Sequence, residues 1–436
     1  AEQWTGTDRQ QDVDGPLSEA AYALERAQVD FDLLHEGALT RDPALLAHAE
    51  VRKGRLVVGA AAYDLVVIPR TPVLDADGVR VLREFVRTGG TVIAVGALDT
   101  EEADGGDRTL AHGLADLFGN RTPARRPLGR GHAVRVADTG ALGAVAVEAG
   151  TAAAVLEPPQ DAVRVLRVRR GPDTVFLINN ESGARVRTAA ALPATGVPEI
   201  WDPATGTGGT APVYRATKNG VRVPLDLEPF RTAVVVVRGG HRDRPHLTEA
   251  TLPVLSVTRH GNALRATVEA TAAGTHRLVG ADGGHRYHGT VRIDDTLTPV
   301  PVDGDWTLTF EREGAEPVTA PLGSWTEHDA LFSGSGTYTT DIDVDADRLR
   351  GRRVVLDLGD VRDVAEVSVN GTALPPLLWA PFAADVTGHV RAGRNTLRVR
   401  VANTLSNERK KPLPSGLLGP VTLRFRSRTT VELRRS

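Results

Sequence analysis

Residues 351–423 read GRRVVLDLGDVRDVAEVSVNGTALPPLLWAPFAADVTGHVRAGRNTLRVRVANTLSNERKKPLPSGLLGPVTL. Apolar and polar residues alternate in several runs of this stretch, which is the pattern of a strand with one buried face. Val367 and Val369 point to one side of such a strand, and their neighbours point to the other. Asn370-Gly371 then predicts a tight hairpin, because both central positions of that turn need a positive φ. We therefore expect an antiparallel sheet with one dry face and one wet face.

A second alternating run follows, with Leu397, Val399 and Val401 on its apolar side. Four blocks of the stretch resemble the galactose-binding-like jelly roll that accompanies many glycoside hydrolases: LDLGDVRDVAEVSVNG, LLWAPFAADVT, AGRNTLRVRVANT and PSGLLGPVTL. They are most similar to the C-terminal end of glycoside hydrolase family 106, the α-L-rhamnosidases. This resemblance implies carbohydrate as a partner and a galactose-binding-like jelly roll over residues 301–436.

The chain has 436 residues and a formal net charge of -3, and its length suits about two to four domains. The near-balance of charge predicts neither a nucleic-acid partner nor a polybasic membrane patch. No apolar run is long enough to span a bilayer. The polar first residues, AEQWTGTDRQQDVDG, show no signal-peptide pattern. An extracellular and a cytoplasmic location both remain open.

Cysteine and methionine are both absent. Without Cys the chain has no disulfide, no thiolate metal site and no Cys nucleophile. Without Met at position 1, the sequence indicates a processed chain, an expression product or one piece of a longer protein. The last interpretation fits the resemblance, which reaches only the C-terminal part of a much larger enzyme.

Residues 1–122 alternate between helical and buried-strand patterns, which predicts a parallel, doubly wound sheet. The stretch resembles the glutamine-amidotransferase-like domain found downstream of the barrel in several glycoside hydrolases. Such a domain would be catalytically inert here, because amidotransferase chemistry needs a thiolate nucleophile and the chain has no Cys. The predicted helices are 16–28, 41–51 and 75–90, and the predicted strands are 30–35, 55–59, 63–70 and 91–96.

An all-β chain follows a predicted linker at residues 123–130. Short strands separated by Gly, Pro or Asn predict a small β-sandwich over residues 131–245, beginning with the strand AVRVAD at 133–138. Its segments TVFLINNES and EIWDPATG resemble the small β-sandwich of the same multidomain hydrolases. Residues 246–300 predict a further β module or an extension of the preceding domain.

The catalytic inventory is largely negative. The sequence has no nucleophile elbow, no phosphate-binding Gly-Lys-Ser/Thr loop and no His-Glu-x-x-His zinc motif. The resemblance to family 106 implies inverting hydrolysis by two carboxylic acids of an N-terminal (β/α)8 barrel. Because no eightfold strand–helix repeat is present, we assign no catalytic residue and expect the barrel elsewhere, in the same chain or in a partner chain.

The jelly roll is the best place for a sugar site. Carbohydrate sites stack a sugar ring on an aromatic side chain and bind its hydroxyl groups with Asn, Asp, Glu or Arg. An alternative remains open, in which the tryptophans fill the sandwich core and the asparagines cap turns. The candidate carbohydrate-binding residues are Trp325, Glu327, Trp379, Asn403 and Asn407.

Two patterns suggest metal ligands. Four aspartates of residues 341–347 recur at every second position, and because oxygen ligands suit calcium, Asp343 and Asp345 are weak candidates for a calcium site. A solvated strand face explains the same spacing equally well. His285 and His288 could bind zinc only with ligands from elsewhere, and we expect a surface hairpin there instead.

Three functions follow from these observations. The first is the non-catalytic C-terminal part of a rhamnosidase-like glycoside hydrolase, which supports hydrolysis of rhamnose-containing glycans or glycosides by a barrel outside this chain. The second is a stand-alone carbohydrate-binding protein, and the third is a structural or oligomerisation module. The first function predicts a large exposed apolar patch where the barrel would dock.

Overall fold

The protein is mostly β-structure and comprises an α/β unit, a β-sandwich, a β module and a jelly roll, in that order along the chain. No helix of the described part is long and apolar enough to cross a membrane. The structure is a computed structural model, and it describes residues 9–98, 101–102, 107–203, 206–240, 244–294 and 296–436.

The α/β unit alternates amphipathic helices with short apolar strands such as LVVI at 65–68. Its helices are α1 (Arg9–Arg26), α2 (Gly37–Thr40), α3 (Ala76–Thr88), α4 (Asp107–Phe118) and α5 (Leu142–Glu148). Its strands are β1 (Ala49–Arg52), β2 (Arg55–Val58), β3 (Ala61–Tyr63), β4 (Leu65–Ile68), β5 (Val73–Leu74), β6 (Thr91–Val95), β7 (Glu101–Glu102), β8 (Ala124–Leu128) and β9 (Gly131–Val136).

The central sheet of this unit has the order β4-β6-β9-β8, in which the first three strands are parallel and β8 is antiparallel. Helices α3 and α4 cover one face, where Leu82 and Val92 belong to one buried cluster. Helices α1 and α5 cover the other face, where Leu24 and Val134 belong to a second cluster. Helices on both faces agree with the predicted doubly wound arrangement, while the resemblance to amidotransferase domains stays a prediction.

Two elements predicted in this unit are wrong. Residues 30–35 form no regular strand, and in the described part this segment is flanked only by a single bridge between Val29 and Ala152. Residues 41–51 form no helix, since turns and bends precede residue 49 and the end of the segment belongs to β1, which pairs with β2.

The predicted boundary after residue 122 is also wrong. Residues 123–130 are no linker, since β8 lies within them and pairs with β9. The predicted sandwich strand AVRVAD begins inside β9, which is parallel to β6. Val134 and Val136 of β9 are buried in the cluster that includes residues of α1 and α5. The α/β unit therefore continues through α5.

The predicted small β-sandwich is confirmed, with its start moved beyond α5. Two sheets with the orders β10-β13-β17-β16 and β11-β12-β18-β14-β15 enclose one apolar core. Its strands are β10 (Val155–Glu157), β11 (Val163–Arg170), β12 (Asp173–Asn180), β13 (Val186–Leu192), β14 (Val197–Asp202), β15 (Thr207–Thr210), β16 (Arg215–Thr217), β17 (Gly220–Leu227) and β18 (Thr232–Arg238).

The jelly roll begins near residue 300 and ends in one long C-terminal strand. Its helical elements are a 3-10 helix (Trp325–Glu327) and α6 (Ala346–Leu349).

The remaining strands belong to the β module and to the jelly roll. The strands of the β module are β19 (His246–Ala250), β20 (Val254–His260), β21 (Ala263–Ala270), β22 (Gly274–Asp282) and β23 (His285–Ile293). The strands of the jelly roll are β24 (Val300–Pro301), β25 (Trp306–Phe310), β26 (Val318–Ala320), β27 (Ser335–Val344), β28 (Arg352–Asp357), β29 (Asp360–Arg362), β30 (Val364–Val369), β31 (Thr372–Ala373), β32 (Ala383–Asp385), β33 (Gly393–Ala402), β34 (Gly416–Gly419) and β35 (Thr422–Arg435).

The β module shares its central strand with the jelly roll. The first half of β35 pairs with β28, whereas its second half pairs with β21 and β23. Val431 and Leu433 are accordingly buried in the module core. The predicted division at residue 300 is therefore incomplete, because the second half of β35 belongs to the module although its first half belongs to the jelly roll.

The alternation of apolar and polar residues predicted within 351–423 is confirmed in the jelly roll. One sheet has the order β26-β25-β27-β33-β30-β31 and packs on strands β28, β32 and the start of β35. Val367, Leu397 and Val399 are fully or almost fully buried between these layers. Asn370 and Gly371 form the predicted hairpin turn with φ values of 53° and 83°.

Side chains tie the units together. Gln28 donates to the Val163 carbonyl at 3.0 Å, which joins the α/β unit to the sandwich. Tyr214 of the sandwich stacks on His246 of the module at 3.8 Å between ring centroids. Glu269 of the module is buried and lies 3.2 Å from a guanidinium nitrogen of Arg426 in the jelly roll. These contacts fix each unit against its neighbour in sequence.

Candidate functional site

The candidate site lies at one end of the jelly roll. Ser335 of β27 and Val364 of β30 both lie opposite Ala402, the last residue of β33. Leu377 exchanges backbone hydrogen bonds with Ala365, the next residue of β30. Three loops therefore meet at this end of the sheet. They are the 328–334 turn, the 374–382 loop and the 403–415 loop.

Trp325, predicted to stack on a sugar, lies in the core instead. Its side chain is fully buried, and its ring packs edge-on against Phe310 and Phe332 at centroid distances of 5.8 Å and 5.6 Å. The indole N–H has no hydrogen-bond partner among the described residues. A ring without an exposed face cannot stack on a sugar, so the alternative of a core tryptophan is correct for Trp325.

Tyr338 completes this buried aromatic cluster. Its hydroxyl oxygen accepts a hydrogen bond from the Leu417 N–H at 3.1 Å. Burial raises the pKa of Tyr338 to about 12. Gly416, with a φ of 103°, lies so close that a Cβ there would collide with the Tyr338 hydroxyl and the Trp325 ring. The 403–415 loop is therefore anchored directly on the core as it returns to the sheet.

The two predicted asparagines brace the loops. Asn403 accepts a hydrogen bond from the Gly334 N–H at 2.9 Å and donates to the Phe332 carbonyl at 3.0 Å. Asn407 is buried, accepts from the Leu413 N–H at 2.8 Å and donates to Ser415 Oγ at 3.1 Å. Their amide groups are occupied by the protein itself. The structure thus assigns both asparagines to loop support, as the turn-capping alternative predicts.

Trp379 has the opposite environment from Trp325. Its side chain is 47% exposed at the 374–382 loop. The guanidinium carbon of Arg231, from the sandwich, lies 5.6 Å from the centroid of the Trp379 ring. Such a cation–π contact fixes the ring orientation while leaving much of its surface accessible. Trp379 is therefore the predicted aromatic residue that can still meet a sugar.

Exposed leucines accompany Trp379 on the loops at this end of the jelly roll. They lie on the same three loops, and each is about half exposed. Single exposed leucines need no explanation, but several large apolar side chains on loops that meet at one end indicate a contact surface. We call the following set the loop-end surface: Leu331, Leu378, Trp379, Leu405 and Leu413.

Charged side chains border this surface. Glu327, the remaining predicted sugar ligand, is exposed at the end of the 3-10 helix, and no ion pair of its carboxylate occurs in the described part of the chain. Arg312 forms an ion pair with Asp329 at 2.5 Å and lies over the Phe332 ring at 5.5 Å. The adjacent 403–415 loop carries three exposed cations in succession, Arg409, Lys410 and Lys411.

The aspartates of residues 341–347 are not gathered into one cluster. Asp341 lies on the wet face of β27, where hydrogen bonds from Arg394 and Thr396 hold its pKa below the usual value. Asp345 precedes α6 rather than continuing the strand. The described residues contain no cluster of three or more His, Asp or Glu side chains that could hold a metal ion. Asp343 and Asp345 are therefore not brought together with a third ligand.

The two histidines lie on a hairpin, as expected. Asp282 is paired with His285 at the turn between β22 and β23. His288 lies further along β23, where its Nδ1 is 3.4 Å from an Arg277 nitrogen. Neither histidine belongs to a metal-binding cluster within the described ranges.

Sequence patterns did not predict Arg231 or the leucines of the loop-end surface. Arg231 follows Phe230, which takes a positive φ of 53° and is 54% exposed. No local pattern shows that this turn of the sandwich reaches a jelly-roll loop almost 150 positions later. The leucines were equally ambiguous, because PLLW and NTLS read like the edges of core strands.

Comparison with known proteins agrees with a glycoside hydrolase context. Residues 319–429 match the family described as "Glycosyl hydrolase 2 galactose-binding domain-like". A putative β-glucuronidase of Formosa agariphila is 34% identical over 137 residues, which are 28% of this chain and 12% of that protein. The structure of a rhamnosidase from Novosphingobium sp. PP1Y is 24% identical with a TM-score of 0.55, over 87% of this chain and 35% of that chain.

These similarities confirm the galactose-binding-like jelly roll that the four sequence blocks predict. The chain spans about 35% of the length of the similar rhamnosidase and about 12% of the length of the similar glucuronidase. The likeness to the rhamnosidase extends the shared fold over most of the chain. Membership of family 106, and placement at the C-terminal end of an enzyme, remain predictions.

Proposed function

We propose that this chain is the non-catalytic C-terminal part of a glycoside hydrolase that acts on rhamnose-containing glycans or glycosides. The observation that carries the proposal is the galactose-binding-like jelly roll at residues 319–429, embedded in a fold similar to that of a rhamnosidase. The two carboxylic acids of the reaction would come from a (β/α)8 barrel outside these residues. This chain supports that barrel and shapes access to it.

The loop-end surface is the part of the chain suited to that role. Its side chains are about half exposed, and apolar surface of this kind is stabilised when a partner covers it. Asn403 and Asn407 tie the 403–415 loop to the 328–334 turn, because both donate to the Phe332 carbonyl. A catalytic barrel docked here would place its substrate opening beside Trp379. A preformed surface of this kind is typical of contacts that change little on assembly.

Within this surface Trp379 would contact the substrate. Arg231 holds one face of its ring, and the apolar face of a deoxysugar such as rhamnose stacks well on an indole. Removal of such a contact is expected to weaken substrate binding by about tenfold, the equivalent of about 1.4 kcal/mol.

The test compares the chain alone with the complete enzyme on an aryl α-L-rhamnoside. The chain alone should show no turnover, and turnover by it would contradict the assignment of the acids to a separate barrel. In the complete enzyme, Trp379→Ala should raise KM about tenfold. Trp201→Ala is the matched control, since Trp201 is a 37% exposed tryptophan on β14 of the sandwich. Equal effects of both substitutions would argue against a sugar contact at Trp379.

A stand-alone carbohydrate-binding protein is the second candidate, favoured by the exposure of Trp379. In that case calorimetry should detect binding of a rhamnose oligosaccharide to the chain alone, and Trp379→Ala should abolish it while Trp201→Ala should not. A purely structural module would instead give no sugar binding and a defined oligomer in light scattering.

A further inference from the structure

A groove of about 670 Å³ runs through the α/β unit beside its parallel sheet. Strand β4 forms one wall of this groove, and the segment at residues 29–34 forms the opposite wall. The groove lies far along the chain from the loop-end surface and contains none of its residues. It is large enough for a short peptide segment or a small ligand.

The wall formed by β4 is an open sheet edge. Strand β4 ends the order β4-β6-β9-β8, so β6 is its only partner among the strands that the structure describes. The Asp64 carbonyl accepts from the Thr91 N–H of β6 at 3.0 Å. Because successive residues of a strand bond to opposite sides, the backbone groups of Leu65 and Val67 point away from β6 and into the groove. An open edge of this kind accepts a further strand.

Helices already cover both faces of the groove. Leu17, Ala21 and Leu24 of α1 line one side, and Val79 and Leu82 of α3 line the other. In a doubly wound sheet the helices cover strands. Here two helices cover a gap beside β4 that no described strand fills.

The segment that forms the opposite wall also lacks, among the described residues, a strand partner on the side of the groove. Residues 30–35 carry the apolar pattern of a strand but form none. Phe31 and Leu34 are 37% and 38% exposed, and Leu33 is 70% exposed. In one common doubly wound order, 2-1-3-4-5, the first strand lies between the second and the third. With residues 30–35 in the second position and β4 in the third, the groove occupies the first position.

The charged residues that line the groove indicate which charge its occupant carries. Four carboxylates and two guanidinium groups line it, so acidic groups are in excess. Burial raises the pKa of Asp30, and the Asp32 carboxylate accepts a hydrogen bond from the Tyr63 hydroxyl at 2.8 Å. A segment with basic ends would complement this lining. The charged lining residues are Asp30, Asp32, Glu36, Arg55, Asp64 and Arg167.

We propose that this groove receives a β-strand of about five apolar residues with basic flanks, which pairs in parallel with β4. The strand comes from polypeptide that precedes α1 in the complete enzyme, so the inference rests on the proposed function. From that position α1 becomes the right-handed crossover between the inserted strand and residues 30–35. The inserted strand would satisfy the backbone groups of Leu65 and Val67 and would allow residues 30–35 to pair as a strand.

The first experiment supplies a strand as a peptide. The probe is the acetylated, amidated peptide Lys-Val-Ile-Val-Ile-Val-Lys, added to the full chain while amide hydrogen exchange is followed. Exchange at Leu65 and Val67 should slow at least tenfold. The control peptide carries proline at its third and fifth positions, and it should have no effect, because proline cannot donate to a strand ladder. Equal protection by both peptides, or by neither, would overturn the proposal.

A protein variant tests the same edge. Val67→Pro removes one donor on the groove side of β4 and should weaken binding of the probe peptide about tenfold. Leu46→Ala is the control, since Leu46 is fully exposed and does not line the groove. Thermal unfolding of both variants verifies that they fold. If Val67→Pro does not fold, the comparison of the probe peptide with the proline-containing peptide still tests the proposal.

A second experiment tests the source of the strand. A longer chain that includes the polypeptide encoded ahead of Ala1 should protect Leu65 and Val67 without added peptide and should no longer bind the probe. If the longer chain still binds the probe and these amides still exchange, the assigned source is wrong. Neither experiment measures sugar hydrolysis. Failure of the inserted-strand proposal therefore leaves the proposed role of the jelly roll unaffected, and failure of that role leaves the inserted-strand experiments interpretable.

Discussion

At the scale of single residues, two tryptophans of similar sequence context have opposite roles. Trp325 lies in GSWTEHD and Trp379 in LLWAPF, and both sequences read as loops. The structure buries the first completely and leaves the second 47% exposed. Their difference comes from the partners: Phe310 and Phe332 enclose Trp325, whereas Arg231 covers only part of Trp379.

Substitution of these tryptophans should separate stability from function. Trp325→Ala removes a fully buried aromatic side chain and should lower the free energy of unfolding by about 3–5 kcal/mol. Trp379→Ala should lower it by less than about 1 kcal/mol, because much of that side chain is already in water. Urea titration of the two variants measures both values. A larger loss for Trp379→Ala would contradict the assignment of Trp325 to the core.

A tyrosine in the same cluster should make stability depend on alkaline pH. Burial raises the pKa of Tyr338 to about 12, above the value near 10 of an unfolded tyrosine. A raised pKa means that the folded state favours the protonated hydroxyl, so this contribution is present below pH 10 and is lost as pH rises towards 12. The loss should be on the order of 2 kcal/mol.

The measurement is the free energy of unfolding between pH 8 and pH 11.5. Tyr338→Phe should flatten part of this dependence and should also cost about 1–2 kcal/mol at neutral pH, because the Leu417 N–H loses its acceptor. Tyr63 provides the comparison, since burial and the nearby Asp32 carboxylate raise its pKa to about 12 as well. An unchanged pH profile in Tyr338→Phe would show that Tyr338 does not titrate in this way.

At the scale of elements, sequence patterns predicted local structure better than membership of a sheet. The hairpin at Asn370 follows from turn chemistry alone, and the alternation around Val399 follows from a period of two. The strand β9 was recognised as a strand but assigned to the wrong unit, since its parallel partner β6 lies some 40 positions earlier. The prediction of a strand at residues 30–35 was wrong for a related reason, because a strand forms only beside a partner.

The same distinction applies to the candidate site. The sequence predicted Trp379, which the structure leaves available, together with Asn403 and Asn407, which it uses as loop braces. Asparagine at a strand end suits a sugar hydroxyl and a backbone carbonyl equally well. Only the position of the 328–334 turn, which these amides contact, decides between the two uses.

At the same scale, the shared strand β35 leads to a prediction about the stability of the β module. Removal of residues 427–436 takes away Val431 and Leu433 from the module core and leaves β21 without a neighbour on one side. Amides of β21 and β23 should then lose most of their protection from hydrogen exchange, while those of β33 in the jelly roll should keep theirs. Removal of Ser436 alone is the control. Equal loss of protection in both units would mean that they unfold as one body.

At the scale of the whole molecule, each unit contacts the next one along the chain, and the last unit carries the exposed loop-end surface. Gln28 joins the first pair of units, Tyr214 the second and Glu269 the third. Arg231 adds a contact from the sandwich to the jelly roll beside the loop-end surface. Side chains of both the sandwich and the jelly roll therefore meet at that surface.

A charge placed on this surface should affect the complete enzyme and spare the isolated chain. Leu413 is 55% exposed, so Leu413→Asp should change the free energy of unfolding of the chain by about 0.5 kcal/mol or less. If a barrel docks here as proposed, the same substitution buries a carboxylate at that contact and should lower kcat/KM of the complete enzyme on an aryl α-L-rhamnoside at least tenfold. Leu46→Asp, on a fully exposed leucine of the α/β unit, should leave both quantities unchanged. Full activity of the Leu413→Asp enzyme would exclude the loop-end surface as the place where the barrel docks.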